Sequence, residues 1–227
     1  GVVFRKNSVV THQQNQYAAW YNAEGTVMLA KRKIGSTNWT VKPTQHKGNT
    51  NDAHRSISIM VDGDDYIHLS WDHHGNKINY CKSVYPGSLE VSDKIWMTGY
   101  GEHNVTYPEF HKMPNGDLIF FYRLGASGRG DLVLNHYHLK EQVWTRVHNV
   151  LIDGEGERNA YWQACVDLQG SIHLSWVWRA CNRVYRRGWR AHNVQIRILC
   201  HATALYVFES VSKRAVKHSE LGVCLAL

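Results

Sequence analysis

The segment DYIHLSWD at residues 65–72 decides the fold, because two later stretches of the chain repeat its pattern. GDLIFFYR occupies residues 116–123 and GSIHLSWV occupies residues 170–177. A polar turn that contains Gly (VDGDD, MPNGD or VDLQG) precedes the apolar run of each copy, and a second apolar run precedes that turn. Two such runs around a Gly-containing turn are typical of a β-hairpin. The sequence therefore predicts repeated hairpins, with little helix.

The spacing of the copies sets the size of the repeat. Their terminal aromatic residues, Trp71, Tyr122 and Trp176, lie just over 50 residues apart, and Trp20 lies at a similar distance upstream. Repeats of about 40 to 50 residues with several short antiparallel strands are typical of β-propeller blades. The copies are apolar on both faces, so we interpret these three aromatic residues as blade-packing residues.

We therefore predict an all-β fold, a β-propeller of about four blades that forms an incomplete ring, since closed propellers have up to about eight. A solenoid of stacked hairpins is the alternative.

Composition changes near residue 180. The net charge is +7, but residues 181–227 alone contain eight Lys or Arg against two Glu, and three of the five cysteines. We predict propeller blades over residues 1–180 and an atypical basic tail over residues 181–227, with no hairpin turn and no copy of the repeat. The tail is interpreted as a basic appendage or as out-of-frame, non-native sequence, and no function is assigned to it.

Two kinds of targeting segment are not expected in this chain. The sequence has no run of 18 apolar residues, and its first 20 residues lack the basic start and apolar middle of a signal peptide. The five cysteines are scattered and form no CxxC pair, so the redox compartment stays open.

Four polar residues are predicted to meet at one end of two neighbouring blades. Residues at equal distances from a hairpin turn are cross-strand neighbours. His54 and His74 lie ten residues on either side of the centre of VDGDD, and Tyr107 and Arg123 lie eight residues on either side of the centre of MPNGD. Because His54 and Tyr107 are separated by about one repeat, the two pairs occupy nearly equivalent places on adjacent blades.

Such a group suits the removal of a proton beside a carboxylate. A guanidinium neutralises the carboxylate while enolate-like charge develops. A histidine or a tyrosine within hydrogen-bonding reach takes the proton, and a tyrosine can also donate a proton to the departing oxygen. This chemistry is the β-elimination of a uronate.

The stretches NDAHRSISIMVDGDDYIHLSWDHHGNKINYCKS and NVTYPEFHKMPNGDLIFFYRLGASGRGDLVLNHY resemble BNR-repeat proteins, among them the ulvan lyases of polysaccharide lyase families 24 and 25. The similarity covers about residues 1–180. It implies a seven-bladed β-propeller, so about three blades of the family's ring are absent here. It also implies that His54 and Tyr107 transfer protons, and that Arg123, helped by His74, neutralises the uronate carboxylate.

The resemblance further implies a lyase for a uronate-containing, sulfated, acidic polysaccharide. Such an enzyme is secreted or periplasmic and needs no cofactor. Neither nucleic acid nor membrane is expected as a partner, and a complete ring is expected to be a monomer.

Two further residues are assigned to substrate binding, His73 and Asn76. His73 competes with His74, because a slip of one residue in register exchanges the ring that faces the cleft.

A structural metal is the remaining candidate site. His136 and His138 alternate along a predicted strand and share a face, a spacing that zinc sites use, and Cys81 or Cys165 is the candidate third ligand. The acidic residues of VDGDD resemble a calcium loop only in part, so a solvated turn is the favoured interpretation.

Three further functions remain open from sequence. FRKN at residues 4–7 is weakly similar to the arginine motif of sialidases, which are also propellers, so a sialidase-like hydrolase is one of them. A propeller rhamnosidase is the second. The third is a non-catalytic, carbohydrate-binding propeller fragment, in which case the chain is inactive.

Overall fold

A computed structural model describes residues 7–180, 194–201 and 204–210 of the chain. These ranges form sixteen β-strands in four antiparallel sheets. They hold no helix with the length and hydrophobicity needed to span a membrane. The prediction of an all-β fold is confirmed.

The first two sheets follow one another along the chain. The first contains, in this order, β1 (Val9–His12), β2 (Asn15–Tyr21), β3 (Thr26–Lys33) and β4 (Thr40–Lys47). In the second, β5 (Ile57–Val61) pairs with β6 (Ile67–Trp71). The short strand β7 (His74–Asn76) comes next in the chain, and β8 (Tyr80–Lys82) completes the second sheet beside β6.

The third sheet takes in a strand from the preceding repeat. It is built from β9 (Val105–Lys112), β10 (Leu118–Ala126), β11 (Arg129–His138) and β12 (Val143–Arg146). Its order is β12-β11-β10-β9-β7, so β7 lies at its edge beside β9. Because β7 pairs with a strand of the next repeat, residues of two successive repeats come together.

The fourth sheet contains, in chain order, β13 (Arg158–Val166), β14 (Ser171–Ala180), β15 (Val194–His201) and β16 (Ala204–Ser210). The sequence led us to expect no hairpin after residue 180. This expectation was wrong, because β15 and β16 pair as antiparallel strands. The sequence has Ala and Thr at positions 202 and 203, which are not turn-forming residue types, so it carried no hairpin signal there. Most of the predicted tail, residues 181–193 and 211–227, lies outside the described residues, as do the first three residues of FRKN.

The repeat seen in the sequence is the second strand of each sheet. Trp20, Trp71, Tyr122 and Trp176 lie in β2, β6, β10 and β14. Trp71 and Tyr122 have no exposed surface, and Trp176 is 6% exposed. The interpretation of these three as packing residues is confirmed.

Neighbouring sheets bury their apolar faces together. One cluster joins Tyr17 and Leu29 of the first sheet to Ile59 and Leu69 of the second. Another joins Tyr80 of the second sheet to apolar residues of the third, including Phe110, Phe120, Tyr137 and Trp144. Every residue of β6 is buried, as the two-faced apolar pattern predicts.

The chain divides into two compact units. One comprises Gly1–Ala126 with Leu132–Leu151, and the other comprises Ser127–Asp131 with Ile152–Leu227. All four residues of the predicted catalytic group belong to the first unit.

Candidate functional site

The turn between β5 and β6 sets the distance between the two histidines of the predicted group. Its register pairs Ile57 with Trp71, and the same register extended outward places His54 opposite His74. The strands end before these positions, yet the two imidazole rings stack with centroids 4.2 Å apart and planes inclined by 16°. The sequence-based pairing of His54 with His74 therefore agrees with the geometry.

β7 carries His74 to the next repeat. Instead of pairing with β6, this strand pairs with β9, where His74 lies opposite Thr106. The His54 ring comes to lie 6.0 Å from the Tyr107 ring, measured between centroids. The two histidines and the tyrosine therefore form one cluster.

A β-bulge sets the position of Tyr107. Phe121 pairs with Glu109, but the register then shifts, so Tyr107 and Pro108 lie opposite the single residue Tyr122. Tyr107 has a φ of 62°, which is a strained backbone conformation for a bulky residue.

The bulge corrects one prediction. The cross-strand partner of Arg123 is Thr106, not Tyr107. The side chains still meet, because the guanidinium carbon of Arg123 lies 5.1 Å from the centroid of the Tyr107 ring.

Thr106 links both sides of the cluster, and sequence reasoning missed it. Its Oγ1 accepts a hydrogen bond from Nη2 of Arg123 at 3.1 Å and another from the backbone amide of Gly75 at 2.9 Å. Thr106 is completely buried. One hydroxyl thus connects Arg123 of β10 with Gly75 of β7.

Asp52 was also missed, and it contacts both histidines. Its Oδ1 lies 2.7 Å from Nδ1 of His54, and its Oδ2 lies 2.6 Å from Nδ1 of His74. Hydrogen bonds from the backbone amide of His54, and then from the His54 ring, hold the pKa of Asp52 well below its usual range. The sequence signal was a carboxylate two residues before His54.

The cluster has an exposed side and a buried side. The side chains of His54 and His74 are 47% and 39% exposed, whereas Tyr107 and Arg123 are each 3% exposed. A bound carboxylate would therefore meet the imidazoles first. The guanidinium lies on the buried side, where charge interactions are stronger than in water.

His73 is not available to a substrate, so the substrate-binding role predicted for it is wrong. The residue is fully buried, and its Nε2 lies 3.1 Å from Oγ of Ser70 and 3.3 Å from the backbone nitrogen of Asn79. Burial lowers the pKa of His73 to about 3. His74 is the ring that reaches the cluster.

Asn76 shapes the turn at β7. Its Oδ1 accepts from the backbone amide of His74 at 2.8 Å, and its Nδ2 donates to the carbonyl oxygens of Asp72 and Lys77. Its amide is therefore engaged by the backbone, and substrate binding by Asn76 stays a prediction.

Two groups of side chains could hold a divalent ion. Asp117, His136 and His138 present ligand atoms within 4.8 Å of one another, and so do Asp52, His54 and His74. Among the described residues the first group includes Asp117 in place of either cysteine that the sequence suggested. The signal for Asp117 was weak, because it comes from the hairpin turn of another strand.

In the acidic turn VDGDD, the carboxylate of Asp62 makes its contacts within its own hairpin. Asp62 accepts hydrogen bonds from the backbone amides of Asp64 and Tyr66, and its Oδ2 lies 3.0 Å from Nε2 of His68. These contacts support the interpretation as a turn, although Asp62 is buried rather than solvated.

The sequence is similar to one curated relative in particular. It is 30% identical over 135 residues to an ulvan lyase from Nonlabens ulvanivorans, an alignment that covers 53% of this chain. The chain spans only 27% of the length of that relative.

Solved structures show the fold. The chain matches the structure of a PL25 ulvan lyase with a TM-score of 0.66 and 16% identity, over 87% of this chain and 51% of that one. The complex of a PL25 ulvan lyase with -[GlcA(1-4)Rha3S]- gives a TM-score of 0.67 at the same identity and coverage. Polysaccharide lyase Uly1 gives a TM-score of 0.58 and 12% identity, over 98% of this chain and 83% of that one.

These likenesses identify the antiparallel sheets as blades of a β-propeller, as the repeat predicts. The family described as BNR repeat-containing family member matches residues 15–210, which is most of the sequence. This chain therefore belongs to the BNR repeat-containing family.

Proposed function

We propose that this chain is part of a polysaccharide lyase that cleaves a uronate-containing, sulfated, ulvan-like glycan by β-elimination. The observation that carries the proposal is the cluster of two imidazoles, a phenol and a guanidinium, with neighbouring groups 4.2, 6.0 and 5.1 Å apart. The relative from Nonlabens ulvanivorans supports the substrate class, as does the PL25 lyase bound to a glucuronate and sulfated rhamnose unit.

Each group has one step in the proposed reaction. Nε2 of His54 removes the proton from the carbon beside the uronate carboxylate, and the electron pair forms a carbon–carbon double bond as the glycosidic C–O bond breaks. The phenol of Tyr107 gives its proton to the departing oxygen. His74 and Arg123 stabilise the negative charge that develops on the carboxylate.

The burial of Arg123 refines its role. Arg123 is 3% exposed, and its Nη2 already donates a hydrogen bond to Oγ1 of Thr106. We therefore assign the first contact with the uronate to the exposed His74 ring. Arg123 stabilises the same charge from the buried side of the cluster, where the dielectric constant is lower than in water.

The test is to mix the chain with ulvan and follow absorbance near 235 nm, where an unsaturated uronate absorbs. We expect His54→Ala and Tyr107→Phe to lower the rate by about 10²-fold or more, since proton transfer contributes about that much. Arg123→Ala is expected to lower the rate as well, because it removes the positive charge. Tyr17→Phe, a buried tyrosine of the first sheet, is the matched control for loss of a phenol hydroxyl.

The competing functions give different outcomes. New reducing ends without absorbance near 235 nm would indicate a sialidase-like or rhamnosidase-like hydrolase. Binding of ulvan without any product would indicate a non-catalytic, carbohydrate-binding propeller. An unchanged rate in any of the three variants removes that residue from the mechanism.

A structural zinc is a second proposal for this chain, supported by the half-buried group Asp117, His136 and His138. Nε2 of His136 lies 2.9 Å from Oδ2 of Asp117, and the two imidazole centroids are 4.1 Å apart. Burial is the main cause that lowers the pKa of His136, and the nearby His138 is the second. The lower pKa favours the neutral ring that binds metal.

Secretion of the whole protein stays a prediction from the resemblance.

A further inference from the structure

A single carboxylate connects the two exposed imidazoles of the site. Each oxygen of Asp52 serves a different ring, Oδ1 for His54 and Oδ2 for His74, and both rings use Nδ1. Oδ1 also accepts a hydrogen bond from the backbone amide of His54 at 3.0 Å. Asp52 is thus bonded to both histidines at once.

This contact determines where each ring carries its proton. An ionised carboxylate only accepts hydrogen bonds, so Nδ1 of His54 and Nδ1 of His74 must both be donors. In a neutral imidazole the other nitrogen then has a free lone pair. Both rings therefore direct Nε2 away from Asp52: in the proposed reaction that of His54 is the unprotonated base, whereas that of His74 donates to the uronate carboxylate when it carries a proton.

Asp52 is itself held in place by ionic contacts. Nε of Arg55 lies 3.5 Å from Oδ2 of Asp52, and Nη1 of Arg55 lies 2.9 Å from Oδ1 of Asp72 at the end of β6. The Asp72 oxygen also accepts from the backbone amide of Asn49 at 3.0 Å. These contacts tie the loop between β4 and β5 to the second sheet, so the carboxylate is fixed relative to β6.

We propose that Asp52 is a positioning residue that holds His54 and His74 in the Nδ1–H tautomer, so that Nε2 of His54 is the base of the elimination. The catalytic part of this proposal rests on the proposed function, whereas the tautomer itself can be observed in the protein without substrate. The same logic operates in the Ser-His-Asp triad, where the aspartate sets the tautomer of the histidine.

The test uses Asp52→Asn and long-range ¹H–¹⁵N NMR spectra of the histidine side chains. The variants His54→Gln and His74→Gln assign the signals. An asparagine offers one acceptor and one donor group, so it can satisfy only one ring in the original tautomer. We expect Nδ1–H signals for both rings in the unaltered chain, and an Nε2–H signal for at least one ring in Asp52→Asn.

Asp65→Asn is the matched control. Asp65 also bonds to a histidine, with its Oδ1 2.6 Å from Nε2 of His12, but it is outside the proposed site. This change is expected to leave the signals of His54 and His74 unaltered. Nε2–H signals from His54 in the unaltered chain, or unchanged tautomers in Asp52→Asn, would overturn the proposal.

Measurements of kcat and KM then test the catalytic role of Asp52 separately from its effect on the tautomers. If the chain cleaves ulvan, Asp52→Asn is expected to lower kcat by about 10²-fold, because Nε2 of His54 is no longer the base, and to raise KM only where the tautomer of His74 changes as well. A changed tautomer with an unchanged kcat would refute the catalytic role of Asp52. A changed tautomer in a chain with no lyase activity would confirm the positioning and refute the proposed function.

A bound ion is the competing explanation for this geometry, because a metal could occupy the same three ligand atoms. The spectra are therefore recorded before and after EDTA. If EDTA alters the His54 and His74 signals, an ion organises the rings and the proposal fails. Zinc added to a separate sample without EDTA is expected to shift the signals of His136 and His138, which tests the proposed structural site.

Discussion

Two adjacent residues, His73 and His74, show how the environment of a side chain decides its role. His74 is exposed and contacts Asp52, whereas His73 is fully buried beside Ser70. The sequence places them one position apart and cannot separate them, because alternate residues of an extended chain face opposite sides. The side that each ring faces follows from the pairing of β7 with β9.

The burial of His73 makes stability depend on pH. Burial lowers its pKa to about 3 in the folded chain, against about 6.5 when unfolded, so the unfolded chain binds more protons between these values. The free energy of unfolding is therefore expected to fall as pH decreases from about 6.5 towards 3. Urea unfolding at pH 7, 6, 5 and 4 measures this slope, and His73→Gln is expected to make it shallower.

The exposed residue His103 provides the control for that slope. His103→Gln removes an imidazole that is exposed, so it is expected to leave the slope unchanged. If His73→Gln and the unaltered chain lose stability equally over this pH range, protonation of His73 does not contribute to acid unfolding.

At the scale of elements, the turns of neighbouring hairpins contact each other through glycine. The backbone amide of Gly63, between β5 and β6, donates to the carbonyl of Gly116, between β9 and β10, at 2.9 Å. A Cβ on Gly116 would lie 2.8 Å from the Cα of Gly63, closer than real Cβ contacts. The Gly in these turns therefore lets adjacent blades approach, in addition to allowing the turn itself.

Gly116→Ala is expected to destabilise the chain more than Gly35→Ala. Both glycines have positive φ, 92° and 82°, so each replacement costs about 1–2 kcal/mol for a left-handed alanine. Gly35 has no atom within 4 Å of the added Cβ, whereas Gly116 meets the backbone of Gly63. Urea unfolding of both variants measures the difference. Equal decreases in the free energy of unfolding would show that the contact between the turns does not contribute to stability.

The same turn design recurs in two blades. Asp62 and Asp167 each accept two backbone hydrogen bonds within the turn and contact a histidine six residues later, His68 or His173. The short sequence VD followed by IHLSW thus specifies both the turn and the first contact of the returning strand. This repetition explains why the hairpins could be predicted from the sequence.

For the molecule as a whole, β9 and β10 of the first unit are buried more completely than β13 and β14 of the second. In β9 and β10 the first six residues are all buried, whereas β13 and β14 alternate between buried and partly or fully exposed residues. Regions with fewer buried apolar side chains open at a lower free energy than the rest of a protein.

Amide hydrogen exchange is therefore expected to be slower in β9 and β10 than in β13 and β14. Mass spectrometry on peptides covering residues 105–126 and 158–180 measures it. The comparison is made on β10 and β14, which each pair with a strand on both sides, because β13 is at the end of its sheet. Equal protection would show that the two units open together.

Part of this architecture could be predicted because it is local. Hairpin register depends on the turn and on a few flanking residues, so the repeat, the second strand of each sheet and the pairing of His54 with His74 follow from sequence positions. Trp71 and Tyr122 are buried for a similar reason, since a strand with two apolar faces must be covered on both sides.

The rest was decided by contacts between residues distant in the sequence. The bulge at Tyr107 shifts the partner of Arg123 by one residue, and β7 joins the sheet of the next repeat. Asp52 and Thr106 join the site only because these movements bring them within hydrogen-bonding distance. The sequence by itself determined the repeating sheets and the identity of the four side chains that cluster. Only the tertiary structure decided which atoms of those groups meet, because a three-residue strand can pair with either neighbour and the backbone hydrogen bonds of the assembled sheets select one.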